Sequence, residues 1–336
     1  GYGENTVDPK GSVTVVDVEK GESTVVDFSA FDNERDVLAE DGVVLKKGSN
    51  PSVDLEPEYI AVAGGKAYVT LQENNAIAVL DIASKTFEGV YPIGFENYSK
   101  TPIDLDKKDD AYAPKTYEDL LGIRMPDAIA AYTAGGETYL VTANEGDARE
   151  WGDEDAGTFY LNEEEVDFGD EGAVSPAGTI TGESGLTGKV VFFQSEDFDG
   201  LDGTTDYLFG GRTFTIFQVT EEGLAEVFTS GGDFESLTAK YVPDYYNTSN
   251  DNAVLDDRSG KKGPEPESVT VAADAQLLDS LTELLIQPVD VSGASQTFSQ
   301  RTRIVTLTDF KDISTEQVYV TVNIEEVRAS AWADVN

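Results

Sequence analysis

Short apolar runs alternate with polar turns along most of the chain. Val13–Val18, Ala67–Leu71, Ala76–Ile82, Thr138–Thr142, Lys189–Gln194, Thr213–Val219, Ile304–Thr308 and Val318–Ile324 are rich in Val, Ile, Tyr, Phe and Thr. Gly, Asn and Asp punctuate them, and that pattern predicts strands. Helical spacing is scarcer. Asp32–Gly42 has a capping residue and a terminal Gly, Thr116–Asp119 resembles a capping box before Leu120, and Asp233–Tyr241 stops before Pro243. In Ala273–Gln287 the residues Leu277, Leu278, Leu281, Leu284 and Leu285 form one helical stripe, and Pro288 follows.

The strands are organised by an internal repeat. Glu56-Pro57-Glu58 leads into a short apolar run, the turn Gly64-Gly65, the Tyr68 strand and the loop Gln72–Asn74. Met125-Pro126-Asp127 leads into a matching run, the turn Gly135-Gly136, the Tyr139 strand and Asn144-Glu145. A third start is Glu265-Pro266-Glu267-Ser268-Val269-Thr270-Val271. The prolines Pro57, Pro126 and Pro266 lie 69 and 140 residues apart. A repeat of antiparallel strands predicts an all-β fold of β-propeller type with long acidic insertions at 95–124, 146–188 and 243–263. The repeated units occupy 1–271; 272–336 reads as a helix with strands, either a last blade or a separate module.

Composition narrows the chemistry. The 336 residues carry 23 Lys and Arg against 65 Asp and Glu, a net charge of −42, with no His and no Cys. These counts remove Ser-His-Asp triads, thiolate nucleophiles, zinc–thiolate sites and disulfides. The charge disfavours nucleic acid and anionic lipid and favours cations as partners. No apolar run approaches the ~20 residues that cross a bilayer as a helix. A start at Gly1, with no signal segment, suggests a processed or excised piece. The absence of Cys fits a secreted or surface protein of a prokaryote.

A family resemblance extends this reading. Ala67–Thr86 and Pro92-Ile93-Gly94 look like a blade of the YVTN surface-layer propellers. A longer ordered set resembles the choice-of-anchor I family: Leu55–Val62, Gln72–Val79, Pro126–Ile129, Val141–Arg149, Phe209–Phe214, Asp256-Asp257-Arg258 and Lys262–Glu267. The resemblance implies a secreted or cell-surface propeller, seven-bladed when complete, and some members are labelled atypical alkaline phosphatases. Against that pattern the chain starts inside an acidic loop, so N-terminal blades are expected elsewhere. Beyond 272 the resemblance stops. An incomplete ring leaves open edges for another segment or copy of the chain.

Four constellations are candidates for chemistry. Asp197, Asp199, Asp202 and Asp206 alternate in a Gly-permissive loop that suits calcium, or form an acidic turn. Asp251, Asp256 and Asp257 with Glu265 and Glu267 form a second cation candidate, with Arg258 beside them as a possible anion ligand or a structural ion-pair partner. Glu56, Glu58, Asp127, Glu145 and Asp147 fall at strand ends, where they either gather around a channel or cap backbone. Arg212, after Gly210-Gly211, is a second anion candidate or a turn arginine. Asp104–Asp110 reads as a solvated loop. The expected function is a calcium-binding surface protein acting in surface-layer assembly or adhesion, with other surface proteins, further blades or its own copies as partners. A calcium-dependent phosphoesterase and a filament subunit are the alternatives.

Overall fold

The computed structural model describes residues 9–109, 111–151, 157, 159–249 and 253–271, together with three backbone strands beyond them. These residues are mostly β-structure with few, short helices. Two four-stranded antiparallel sheets organise the molecule, each with strands in chain order apart from one long insertion. The first joins Ile60–Ala63, Lys66–Leu71, Ala76–Asp81 and Thr86–Pro92. The second joins Ala128–Ala134, Glu137–Asn144, Thr213–Thr220 and Gly223–Thr229. Among the described residues no sheet closes on itself.

The repeat is visible in both first hairpins. Gly64 and Gly65 have φ of 58° and 81°, and Gly135 and Gly136 have 59° and 87°. Two successive positive φ values make the two-residue turn whose twist matches antiparallel strands. Beyond each turn the strand alternates, and both sheets are buried on the face they share. Ala61, Tyr68, Ile77 and Val79 of the first sheet pack against Ile129, Leu140 and Phe217 of the second. The opposite face of the first sheet carries Val69, Leu71, Ala78 and Val90, covered by Val13, Phe28 and Leu38. Val13 comes from the hairpin Ser12–Asp17/Glu22–Asp27, Phe28 follows that hairpin, and Leu38 comes from the helix Arg35–Asp41, which ends at Gly42 with φ 105°.

The insertions build cores of their own. Phe95–Asn97, Leu120–Ile123 and Asp206–Phe209 form a three-stranded sheet in which the last pair is parallel. Lys189–Phe193 pairs with Glu163–Asp167. Tyr98, Leu120, Phe192 and Leu208 fill one core there, and Ile123, Phe193, Phe198 and Phe209 another.

Several expectations are corrected. Thr116–Asp119 starts no helix: Tyr117 N–H bonds Tyr98 and Tyr98 N–H bonds Leu120, drawing the segment into a ladder. Asp104 and Asp106 are buried rather than solvated, accepting backbone N–H groups of Asp106, Lys108, Ala113 and Thr187. The third repeat start, 265–271, has no strand. The expected helix at 273–287 falls outside the described residues except at Leu285–Ile286, which pair as strand with Ile304 and Val305. Phe298–Val305 and Gln317–Val322 complete that small sheet. The helix Asp233–Tyr241 is present, with Asp233 in its first turn rather than before it.

Candidate functional site

The two sheets bring the same end of their repeats together. Glu56 and Glu58 precede the first strand of one sheet, and Asp127 precedes the first strand of the other. Glu73 lies in the loop after Leu71, and Glu145 and Asp147 follow Asn144. Thr70 Oγ1 donates to the Asp127 carbonyl at 3.2 Å, and Gln72 Nε2 donates to Glu145 Oε2 at 2.7 Å. These bonds tie the ends of the sheets, and the strand-end carboxylates read from the repeat stand within electrostatic reach of one another.

Beside it opens a cavity of about 400 Å³. Glu56, Glu73 and Asp147 line one part of it, and Arg149, Lys261 and Lys262 another. Lys262 Nζ stands 2.9 Å from Asp147 and 3.8 Å from Glu145. Burial works against its charge, but Asp147, Glu145 and Glu265 more than offset it and raise its pKa. Arg149 Nη1 meets Asp54 Oδ1 at 2.8 Å and Glu56 Oε1 at 3.6 Å. Lys261 pairs with Glu163 at 3.0 Å.

Acid crowding shows in the carboxyl groups. Burial and then Glu56 push Glu73 up to about 7, against the pull of Arg149. Its Oε2 is buried without a hydrogen-bond partner among the described residues. Burial raises Glu145 to about 7, opposed by Lys262 and Gln72. Glu58 rises to about 8, by burial and by the nearby charges of Glu73 and Asp127. Much of the Glu58 surface nevertheless remains in solvent, which weakens that effect. Burial, Glu267 and Asp147 raise Asp127. Desolvation and like charge both penalise the ionised form, and a cation entering the site would relieve both.

The Asp197–Asp206 loop is arranged differently. Asp197 accepts from the Tyr160 hydroxyl at 2.8 Å, Asp199 pairs with Arg35 at 2.8 Å, and Asp202 caps Thr204. Asp206 is 2 % exposed and accepts from Ser175, from Ala177 N–H and from both donors of Thr179. The four carboxylates thus serve separate partners. The second cation candidate is divided as well. Asp251 lies outside the described residues, Asp257 approaches Lys107 at 3.6 Å, and Glu265 is held by Arg258 at 2.6 Å. Asp256 is fully buried and pushed up to about 7 by burial; it accepts from Ser259. Glu267 is exposed, near Asp127. Among the described residues, no three carboxylates form a group that could hold a metal ion by themselves.

The anion candidates also turn to structural partners. Arg212 is 3 % exposed; its Nη1 donates to Glu235 at 2.6 Å and to the Asp104 carbonyl at 3.0 Å. Its Nη2 donates to the carbonyls of Ser259 at 2.8 Å and Lys261 at 3.3 Å. Arg258 is taken up by Glu265. The repeat does not reveal Asp54, Glu163 or Glu235, because each meets its partner only through the tertiary fold.

The family model of the choice-of-anchor I domain matches residues 2–277. A YbbR-like protein model matches residues 247–324. The chain is similar to the mesenchyme-specific cell surface glycoprotein of Strongylocentrotus purpuratus, 31% identical over 217 residues. That match takes in 54% of this chain and spans only 27% of the glycoprotein's length. Among solved structures, Kuenenia stuttgartiensis hydrazine synthase aligns over 68% of this chain and 69% of its own, at 14% identity and a TM-score of 0.20, too low to carry an argument.

Proposed function

The chain belongs to the choice-of-anchor I domain family, and from that premise we propose that it is a surface-associated binding and assembly protein of propeller type whose strand-end acid cluster takes calcium. The carrying observation is the convergence of Glu56, Glu58, Glu73, Asp127, Glu145 and Asp147 where two repeated sheets meet. An orphaned carboxylate oxygen on Glu73 and raised carboxyl groups around it describe a site short of positive charge. Calcium accepts six to eight oxygens in flexible geometry and readily keeps water among them, so it suits a cluster that supplies only part of a shell. The similarity to a cell-surface glycoprotein supports the surface setting. Two consecutive four-stranded sheets stacked face to face support the propeller reading. A phosphoesterase gains no such support, since Arg212 and Arg258 are both engaged by glutamates.

The test is thermal unfolding with and without millimolar calcium, at constant ionic strength. A ligand of the native state raises the melting temperature by mass action. We expect calcium to raise it in the natural chain and to have much less effect in Glu73→Gln with Glu145→Gln. No shift, or the same shift in both proteins, would remove the calcium claim.

A further inference from the structure

Three asparagines are followed two places on by a serine: Asn50-Pro51-Ser52, Asn97-Tyr98-Ser99 and Asn247-Thr248-Ser249. Asn-X-Ser, with X other than Pro, is an acceptor pattern for an N-linked glycan, so Pro51 removes the first. The fold treats the other two in opposite ways.

Asn247 is closed in. It is 5 % exposed, and its Nδ2 donates to Ser259 Oγ at 2.7 Å and to Glu235 Oε1 at 3.4 Å. Ser259 and Glu235 are buried too, and both hold Arg212. A sugar on that nitrogen would displace both partners and open the network around Arg212.

Asn97 stands at a rim. It ends Phe95–Asn97, an edge strand of its three-stranded sheet, and its carbonyl accepts from Lys100 and Thr101 N–H in the turn that follows. Its Oδ1 accepts from Ser99 N–H at 3.0 Å and from Ser99 Oγ at 2.7 Å. The hydroxyl that the acceptor pattern demands is therefore already bonded to the acceptor side chain, and only through its oxygen. Among the described residues, Asn97 Nδ2 is neither bonded nor enclosed. The pairing of Asn97 with Leu121 is a backbone pairing and makes no demand on that amide.

We propose that Asn97 carries an N-linked glycan and that Asn247 does not. During export Asn97 Nδ2 attacks the anomeric carbon of an oligosaccharide carried on a lipid diphosphate. The bond from nitrogen to that carbon forms, the bond from that carbon to the diphosphate oxygen breaks, and one amide proton is lost as the lipid diphosphate departs. The fold then leaves the new bond on its outside. This inference rests on the surface setting proposed above, because an exported chain meets such a donor. It is independent of calcium, so either claim can fail alone.

The chain is exported from a eukaryotic secretory host behind a cleavable signal. The soluble product is treated with peptide N-glycosidase in heavy-oxygen water, which turns each glycosylated Asn into an Asp carrying the heavy isotope, and its peptides are read by mass spectrometry. We expect the label at Asn97 in most molecules and none at Asn247. Asn97→Gln and Ser99→Ala should each be exported without a glycan. Export of an unlabelled chain, label at Asn247, or a glycan that survives Asn97→Gln overturns the proposal. Should little chain be exported, the same digest is run on trypsin-resistant chain recovered from inside the secretory pathway, and the same outcomes decide.

Discussion

Arg149 and Asp54 stand 95 positions apart in the chain and 2.8 Å apart in the fold, each side chain 2 % exposed. Asp54 Oδ2 also accepts from Lys46 N–H and from Asn74 Nδ2. The pair pins the acidic loop after the second strand of the second sheet, Glu137–Asn144, to the short helix Pro51–Asp54 that precedes the first sheet. It also stations a cation beside Glu56 and Glu73. Removing one partner of a buried ion pair leaves an uncompensated charge and costs about 3–5 kcal/mol. Arg149→Met should lose about that much in urea unfolding, and adding Asp54→Asn should recover part of it. A near-zero loss would show that the pair does not hold the two loops.

The same acid cluster makes stability depend on pH. Glu73 and Glu145 move from an ordinary 4.5 to about 7 in the folded chain. Both therefore bind protons more tightly when folded than when unfolded. Their contribution is fully present below about 4.5 and is lost as pH rises through about 7. The melting temperature should fall across that window, and Glu73→Gln with Glu145→Gln should flatten the fall. The high net negative charge pushes in the same direction, so the comparison between variant and natural chain is the informative one. Identical slopes in the two proteins would contradict the assignment.

Asp206 illustrates how an acidic loop can be spent on structure. Its two oxygens gather Ser175, Ala177 and Thr179, closing the 175–180 turn against the strand Asp206–Phe209. Asp206→Ala would strand several buried donors, each costing about 1–3 kcal/mol. We expect a large loss of stability in Asp206→Ala and an undiminished calcium response in Asp202→Ala, where the carboxylate is exposed and caps only Thr204. A calcium shift abolished by Asp202→Ala would return the metal to this loop.

What could be read from the sequence was local. The Gly-Gly turns announce their hairpins because a two-residue turn needs positive φ at both positions. The acidic strand ends follow from the same repeat, and their convergence needs only that equivalent sheets stack. Asp197 to Asp206 show the limit. Alternating carboxylates in a Gly-rich loop look alike whether they await a cation or meet Tyr160, Arg35, Thr204 and Thr179. Thr116–Asp119 shows another: a capping pattern gives way when Tyr98 draws the segment into a ladder. Long-range pairs such as Arg124 with Glu96 at 2.8 Å leave no trace in spacing, because the fold alone brings them together.

Arg212 offers the sharpest test of structural against ligand-binding arginine. It adopts a left-handed φ of 57° and sends its guanidinium inward to Glu235 and to three carbonyls from two separate loops. Gly263 presses on that guanidinium: a Cβ there would lie 2.5 Å from Nη1, and its φ of 61° also disfavours a side chain. A lysine keeps the charge but cannot reproduce the planar fork that reaches all these acceptors. Arg212→Lys should therefore lower the urea midpoint markedly, and Gly263→Ala should do so through the same contact. In combination the two losses should fall short of additive, since both act on one network. Added phosphate should stabilise neither the natural chain nor Arg212→Lys. Phosphate protection of the natural chain that disappears in Arg212→Lys would instead make this arginine a ligand-binding group.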